Sequence, residues 1–486
     1  MSKTSQTSSL LSNPVTVTMP FNVIAGSTLT LPSASSASPV MIYGATDGLS
    51  GGQLYLDGGS LSGPIEFFGC GGLFVDQTGT AADYEFFGGG GTIRLSAAGS
   101  TAALANTGSD WTSLYGSGET VNLTDANANV VGDDNLVTFA SGANQVSLYG
   151  SAGQWDTVNG SNGVAIVNAM SASVIGGGDT VYASAGAWLS LYATNGAADS
   201  VYANQAFVIL NSADAGVIGQ GDVVYTSGAS TLTLAGTAGA WDTVYGSGAT
   251  IALSAAEASI FGGDDTISAT PGSWLSLYAT NGNADSVSAT GAHVILTDAQ
   301  AAITGGGNDI YALGASTVSL GGTAGNWDNL LGSGATVSVE GAEVSIFGGG
   351  NFIQAANSAL SLYETGGAAD AISGASNSVV LNDASATLEG SNNYVYFTGV
   401  SSLTVSGEQE AFCFGAQLGQ ATLNGFDKSD QLHLSASDWT SFDALVSSGD
   451  LTQVGADTVI RLDANNAITL TGVQASSLTA AQFAFS

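Results

Sequence analysis

Three features of the sequence predict an all-β fold, a parallel β-solenoid in which each coil takes about 21–22 residues, a length usual for solenoid repeats. A Gly/Ser-rich phrase returns along the chain, as "SAGQWDTVNGSNGVAIV" (151–167), "TAGAWDTVYGSGATIAL" (237–253) and "TAGNWDNLLGSGATVSV" (323–339). An aspartate in that phrase recurs, long and short steps in alternation, at Asp156, Asp179, Asp199, Asp222, Asp242, Asp265 and Asp285, and more loosely at Asp309, Asp328 and Asp370. Between these aspartates lie short apolar runs of strand type, separated by corners such as "GGGD" (176–179) and "GGDD" (262–265). A unit this short cannot bury an apolar face alone, and stacking identical units is the economical solution. The paired period, about 43 residues, also suits an antiparallel propeller blade. A blade, however, has no reason to split into two halves that each carry Asp-Thr-Val, whereas a double coil does.

The elements follow in order. Residues 1–38, rich in Ser and Thr, read as an extended arm. Residues 39–107 hold irregular coils, marked by "EFFGCGG" (66–72) and "EFFGGGG" (85–91). Residues 108–420 carry the regular repeats, and 421–486 form a small β-rich C-terminal domain. On a coil of the expected length, counterparts one period apart are vertical neighbours. Ser147, Ser190, Thr233, Ser276, Ser319 and Ser361 are then expected in one hydroxyl ladder, and Tyr182, Tyr202, Tyr225 and Tyr245 in one aromatic ladder.

Tryptophan alternates with smaller residues in two slots. The slot before the aspartate reads Trp155, Ala198, Trp241, Ala284, Trp327, Ala369; the other reads Gln145, Trp188, Thr231, Trp274, Thr317, Ala359. Bulky rings stacked at strand spacing would crowd, so the expectation is that the two slots adjoin and each indole covers a neighbouring alanine. Trp155, Trp188, Trp241, Trp274 and Trp327 are therefore surface or assembly residues: a lid over one core edge, or a row that grips sugar rings or another molecule.

Composition narrows the function. Only 9% of residues are charged and 44% are hydrophobic, so the chain folds. Four Lys+Arg against 39 Asp+Glu, a net charge of −35, argue against nucleic acid and anionic membrane as partners. No run of about 18 apolar residues is present to span a membrane, and the N-terminal stretch has no apolar core of a secretory signal. The two cysteines, Cys70 and Cys413, fall near opposite ends of the repeats and are not expected to bond.

An aspartate at every coil would place like charges about 5 Å apart, at roughly 1 kcal/mol per pair in water. Corner N–H groups accepted by the carboxylates would offset this, and so would a hard divalent cation. "VIGGGDTVYA" (174–183), "IFGGDDTISA" (260–269) and "ITGGGNDIYA" (303–312) resemble worn RTX nonapeptides. That resemblance implies Ca²⁺, with Asp179, Asp264, Asp265 and Asp309 as its contacts. The segments "LNGFDKSDQLHLSA" (423–436) and "GADTVIRLDANNAITLTGVQASSLTAAQFAFS" (455–486) resemble the C-terminal region of RTX and serralysin-type proteins. The likeness implies export by type I secretion machinery without a cleaved N-terminal signal, hence an extracellular or cell-surface location.

Catalytic chemistry finds little footing. His293 and His433 have no partner at metal-ligand spacing, residues 108–398 contain no Lys or Arg, and the doublets Asp133/Asp134 and Asp264/Asp265 sit in repeating corners rather than at a break in the pattern. The chain therefore reads as no enzyme but a secreted structural protein that assembles with itself, as a surface layer, fibre or biofilm matrix component. The alternative is a binding module, a polysaccharide-directed adhesin or an ice-binding solenoid.

Overall fold

The computed structural model describes residues 72–76 and 79–486 apart from 152, 237–238, 279, 323–324 and 416–417. It also gives the strands Thr16–Val17, Val40–Tyr43, Gln53–Leu56 and Ile65–Phe68 as backbone. The expected N-terminal arm, those strands aside, and Cys70 lie outside the described residues. The protein is 57% strand and 3% helix, wound as a parallel β-solenoid with about 17 residues per coil. It divides into two units, Met1–Tyr245 and Gly246–Ser486.

In the first unit two parallel sheets face each other across an apolar core. One sheet runs through Trp155–Asn159, Ser171–Ile175, Trp188–Tyr192, Phe207–Asn211, Val223–Ser227 and Asp242–Tyr245. The other runs through Gln145–Tyr149, Val164–Asn168, Thr180–Ala183, Asp199–Asn204, Asp214–Gln220 and Thr231–Ala235. Alternate residues point inward, as strand geometry requires. Val158, Val174, Val181, Leu191 and Val201 are all fully buried.

The coil is shorter than the sequence period, and the reason is arithmetic. Each coil holds two strands, whereas one paired repeat holds five: the strand carrying Asp199 is the fifth after that carrying Asp156. Because five is odd, successive repeats fall on opposite sheets. Trp155 and Trp241 are five coils apart on one sheet, while Ala198 leads into Asp199–Asn204 on the other. Two paired repeats thus make five whole coils, and the Trp/Ala alternation marks the two faces of the solenoid.

Three ladder expectations are corrected by this geometry. The expected interlock of indole over alanine does not form: Trp155 pairs with Ser171, and Trp188 lies between Ser171 and Phe207. The tyrosine row splits in two, with Tyr182 stacked on Tyr202 at 5.1 Å on one sheet and Tyr225 on Tyr245 at 5.4 Å on the other. The hydroxyl row splits likewise, Ser147 and Thr233 on the sheet opposite Ser190.

The second unit repeats the plan. Its tryptophan-bearing sheet runs through Glu257–Phe261, Trp274–Tyr278, His293–Thr297, Asp309–Leu313, Asp328–Gly332, Glu343–Phe347 and Ala359–Tyr363. Trp274 lies in this sheet and Trp327 enters it beside Asp328. The opposite sheet takes Thr250–Ser254, Thr266–Ala269, Asp285–Ala289, Gln300–Thr304, Thr317–Gly321 and Thr336–Glu340. Here too the serines divide, Ser276 and Ser361 from Ser319.

Corners between strands force glycine at fixed places. Gly176 has φ 133°, and a Cβ there would stand 1.5 Å from the Gly160 carbonyl oxygen on the coil beneath. The parallel ladder continues to Gln431–Leu434. Its last coil is closed by an antiparallel set, Leu451–Val454, Asp457–Arg461 and Ala467–Thr471, and by Phe483–Phe485 alongside Leu432–Leu434. The helix Phe442–Ser448 is capped by Ser441, whose Oγ accepts from the Ala444 N–H at 3.2 Å, and stops at Gly449 with φ 79°. These elements cover strand edges that would otherwise template another chain.

Candidate functional site

The residues singled out as calcium contacts do not converge. Asp179 and Asp265 are each 1% exposed. Oδ1 of Asp179 accepts from the Gly163 N–H at 2.8 Å, and that of Asp265 from the Ala249 N–H at 2.8 Å. Asp264 sits on an exposed corner with φ 65°. Asp309 faces outward, accepts from Asn329 Nδ2 at 2.8 Å and has Oδ2 3.3 Å from His293 Nδ1. Among the described residues no three His, Cys, Asp or Glu side chains gather as a metal group.

The buried acids form a hydrogen-bonded spine instead. In the first unit Asp199 accepts from the Asp179 N–H and Asp242 from the Asp222 N–H, both at 2.9 Å. In the second unit Asp285 accepts from Asp265, Asp328 from Asn308 and Asp370 from Asn351, at 2.8–3.0 Å. Each carboxylate thus closes a corner by taking an amide from the coil below, one of the two readings that the sequence left open. Its second oxygen is buried without a partner in Asp156, Asp179, Asp199, Asp222, Asp242, Asp265, Asp285, Asp328 and Asp370. Burial therefore raises these acids, to about 6 for Asp179 and Asp222 and about 7 for Asp199 and Asp242, where the neighbouring aspartate adds to the shift.

Two shallow grooves mark the first unit. One, of about 310 Å³, is lined by Val131, Gly132, Asp133, Tyr149, Gly150 and Ser151. Asp133 is already engaged there, accepting from the Ser151 N–H at 2.5 Å and its Oγ at 2.9 Å, so this is a satisfied corner. The other, of about 280 Å³, lies between Trp155 and Trp188, with Ala169, Met170 and Ser171 along it and Gly153 and Gly186 at its rim. Sequence reasoning named both tryptophans but missed Ser171 and the groove. The signal was present: Trp155, Ser171 and Trp188 follow one another at intervals of one coil.

Several outward rings stack along the coils. Trp188 stacks on Phe207 at 4.3 Å, Trp274 on His293 at 4.0 Å, Phe261 on Tyr278 at 4.7 Å and Phe347 on Tyr363 at 4.9 Å. Such cross-strand pairs stabilise the sheet and turn ring edges to solvent. The two faces of the second unit nonetheless differ. The tryptophan-bearing face exposes Leu313 and Phe347, and farther along Tyr394 and Tyr396. The opposite face presents Thr250, Thr266, Ser268, Ser286, Ser288, Thr304, Thr317, Ser319, Thr336 and Ser338. It carries no outward charge before Glu340, beyond which Phe352 is exposed.

Compared with protein-family models, curated proteins and solved structures, the chain matches none of them. Among the described residues no helix is long and apolar enough to cross a membrane.

Proposed function

We propose that this protein is a secreted structural component that assembles with copies of itself at or outside the cell surface. The observation that carries the reading is the segregation of the two faces in the second unit. One face exposes Leu313, Phe347, Tyr394 and Tyr396, whereas the other is uncharged and hydroxyl-bearing from Thr250 to Ser338, with Phe352 beyond that stretch; exposed apolar patches on a folded protein mark interaction surfaces. Its regular rungs offer a second copy the same contact at many positions. The C-terminal segments quoted above support export by type I secretion.

Calcium belongs to this proposal through charge. Copies that each carry −35 repel one another within the ~10 Å screening length of 0.1 M salt. A divalent cation held by exposed carboxylates such as Asp264 would relieve that repulsion at contacts between copies. Sedimentation velocity and electron microscopy with Ca²⁺ or with chelator test it. Calcium-dependent fibres or lattices, reduced by Phe347→Asp combined with Leu313→Asp, are the expected result; a monomer at high concentration with calcium overturns it.

A second reading, adhesion to a regular polar surface such as a polysaccharide or ice, is favoured by the uncharged hydroxyl face of the second unit. Retention on insoluble glycan, or arrest of ice growth by the monomer, distinguishes it.

A further inference from the structure

We infer that the groove between Trp155 and Trp188 is a subsite for one ring of a neutral saccharide. The outward column here reads Trp155, Ser171, Trp188, Phe207 on four successive rungs. One face of the Trp188 indole is occupied by Phe207 at 4.3 Å, and the rings are tilted by only 9°, so its other face looks along the column across Ser171. The column is an aromatic ladder with one rung missing.

Spacing selects a ring-sized guest. The backbones of Trp155 and Trp188 stand two rungs apart, about 9.6 Å, so consecutive rungs of the column are about 4.8 Å apart. That is within the ~4.5–7 Å at which rings engage. Gly153 and Gly186 add no side chain to the groove and, chain neighbours aside, have nothing within 4 Å of where a Cβ would stand.

Polar groups select a sugar over a phenyl ring. Ser171 is 3% exposed and lines the groove, and its hydroxyl has no protein partner among the described residues. The indole N–H groups of Trp155 and Trp188 are also unpaired there, whereas that of Trp439 is bound to Asp450 Oδ2 at 3.0 Å. A saccharide offers C–H faces to the indoles and hydroxyls to these groups at its rim; an aromatic side chain from a second copy would leave them unmet. No cation lines the groove and the chain carries −35, so a uronate is repelled and a neutral sugar is not.

The 486-residue chain titrated with neutral gluco-oligosaccharides, followed by tryptophan fluorescence and calorimetry, tests this. Glucose and a uronate oligomer serve as comparisons. Binding of a neutral oligomer is expected, with affinity at least tenfold lower in Ser171→Phe, which fills the missing rung, and in Trp188→Ala. Glucose binding as tightly as the oligomer would assign the same subsite to a free sugar. The inference is overturned by absence of neutral-sugar binding, by equal binding of uronate, or by binding that survives Ser171→Phe in a protein of unaltered circular dichroism. Sedimentation in the same samples reports self-assembly separately, so the two proposals fail independently.

Discussion

Asp179 and Asp199 stand one above the other on adjacent coils, the N–H of Asp179 donating to Oδ1 of Asp199 at 2.9 Å, and both side chains are 1% exposed. Folding thus places two acids where their charged forms are poorly solvated, and the same pairing recurs at Asp222/Asp242 and Asp265/Asp285. Stability should follow their protons. Asp179 and its counterparts move up from 3.8 to about 6, and Asp199, Asp242 and Asp285 to about 7. A raised folded value means the native state holds protons that the unfolded chain has released. The contribution is therefore full below about pH 4, declines as pH rises through 4–7, and is flat above. Melting temperature is expected to be highest near pH 4–5 and to fall toward pH 8. Salt at 0.5 M screens the exposed charge but not the buried spine, so calorimetry should retain the slope in high salt; a flat profile there would refute the assignment.

The second unit shows how the repulsion is relieved. Asn308 takes the position of the lower aspartate, and its Nδ2 donates to Asp328 Oδ1 at 3.1 Å while its own Oδ1 accepts from the Ala292 N–H at 3.1 Å. Asp328 accordingly rises only to about 6, against about 7 for Asp199 over Asp179. Asp179→Asn should copy this arrangement. The expected gain is about 1.5–3 kcal/mol at pH 8, the scale of one hydrogen bond to a charged group, and close to nothing at pH 4.5, where the acid is already protonated. Urea unfolding at the two pH values checks it, and a loss at pH 8 would contradict the spine.

Much of this was legible in the sequence, for identifiable reasons. Strand residues such as Val181 and Val201 announce themselves by alternation, and Gly176 by the corner it occupies. The coil length was not legible, because the most visible marker, the aspartate, occurs on both sheets. The shorter step, as from Asp179 to Asp199, is one full coil, whereas the longer step, as from Asp156 to Asp179, crosses to the other sheet. Repetition reports chemical equivalence, and two chemically equivalent corners on opposite sheets look like vertical neighbours. The repeat tryptophans held the missing information, since Trp155, Trp188 and Trp241 share one sheet of the first unit, and Trp274 and Trp327 one sheet of the second. The groove escaped because Ser171 has no distinctive sequence context; it matters only for what lies one coil above and below it.

The corner glycines separate two kinds of conformational demand. At Gly176 a side chain meets the Gly160 carbonyl oxygen at 1.5 Å, backbone that cannot yield without breaking the rung. Gly186 has φ 77° but nothing within 4 Å of the Cβ position. Gly186→Ala is expected to cost about 1–2 kcal/mol, the penalty of a left-handed non-glycine residue. Gly176→Ala should cost more than about 3 kcal/mol, as steric changes at special backbone positions do. Chemical denaturation of the two variants side by side measures this, and equal losses would show that close approach between coils is not what requires Gly176.

The C-terminal segment makes the last prediction, separate from any role in export. Gln420–Asn424 pairs with Ala467–Thr471, and Leu432–Leu434 with Phe483–Phe485. Removing residues 435–486 would strip both partners and leave two parallel strands with unpaired N–H and C=O groups beside buried Leu423 and Leu432. Unpaired edges of this kind recruit further strands. The truncated protein is expected to keep its β-sheet circular dichroism but to form large species in size-exclusion chromatography, independently of calcium. The calcium-dependent assembly proposed above would still require Phe347 and Leu313, so the two routes separate on addition of chelator. A truncated protein that remained monomeric would show that the antiparallel cap is not what shields the end of the ladder.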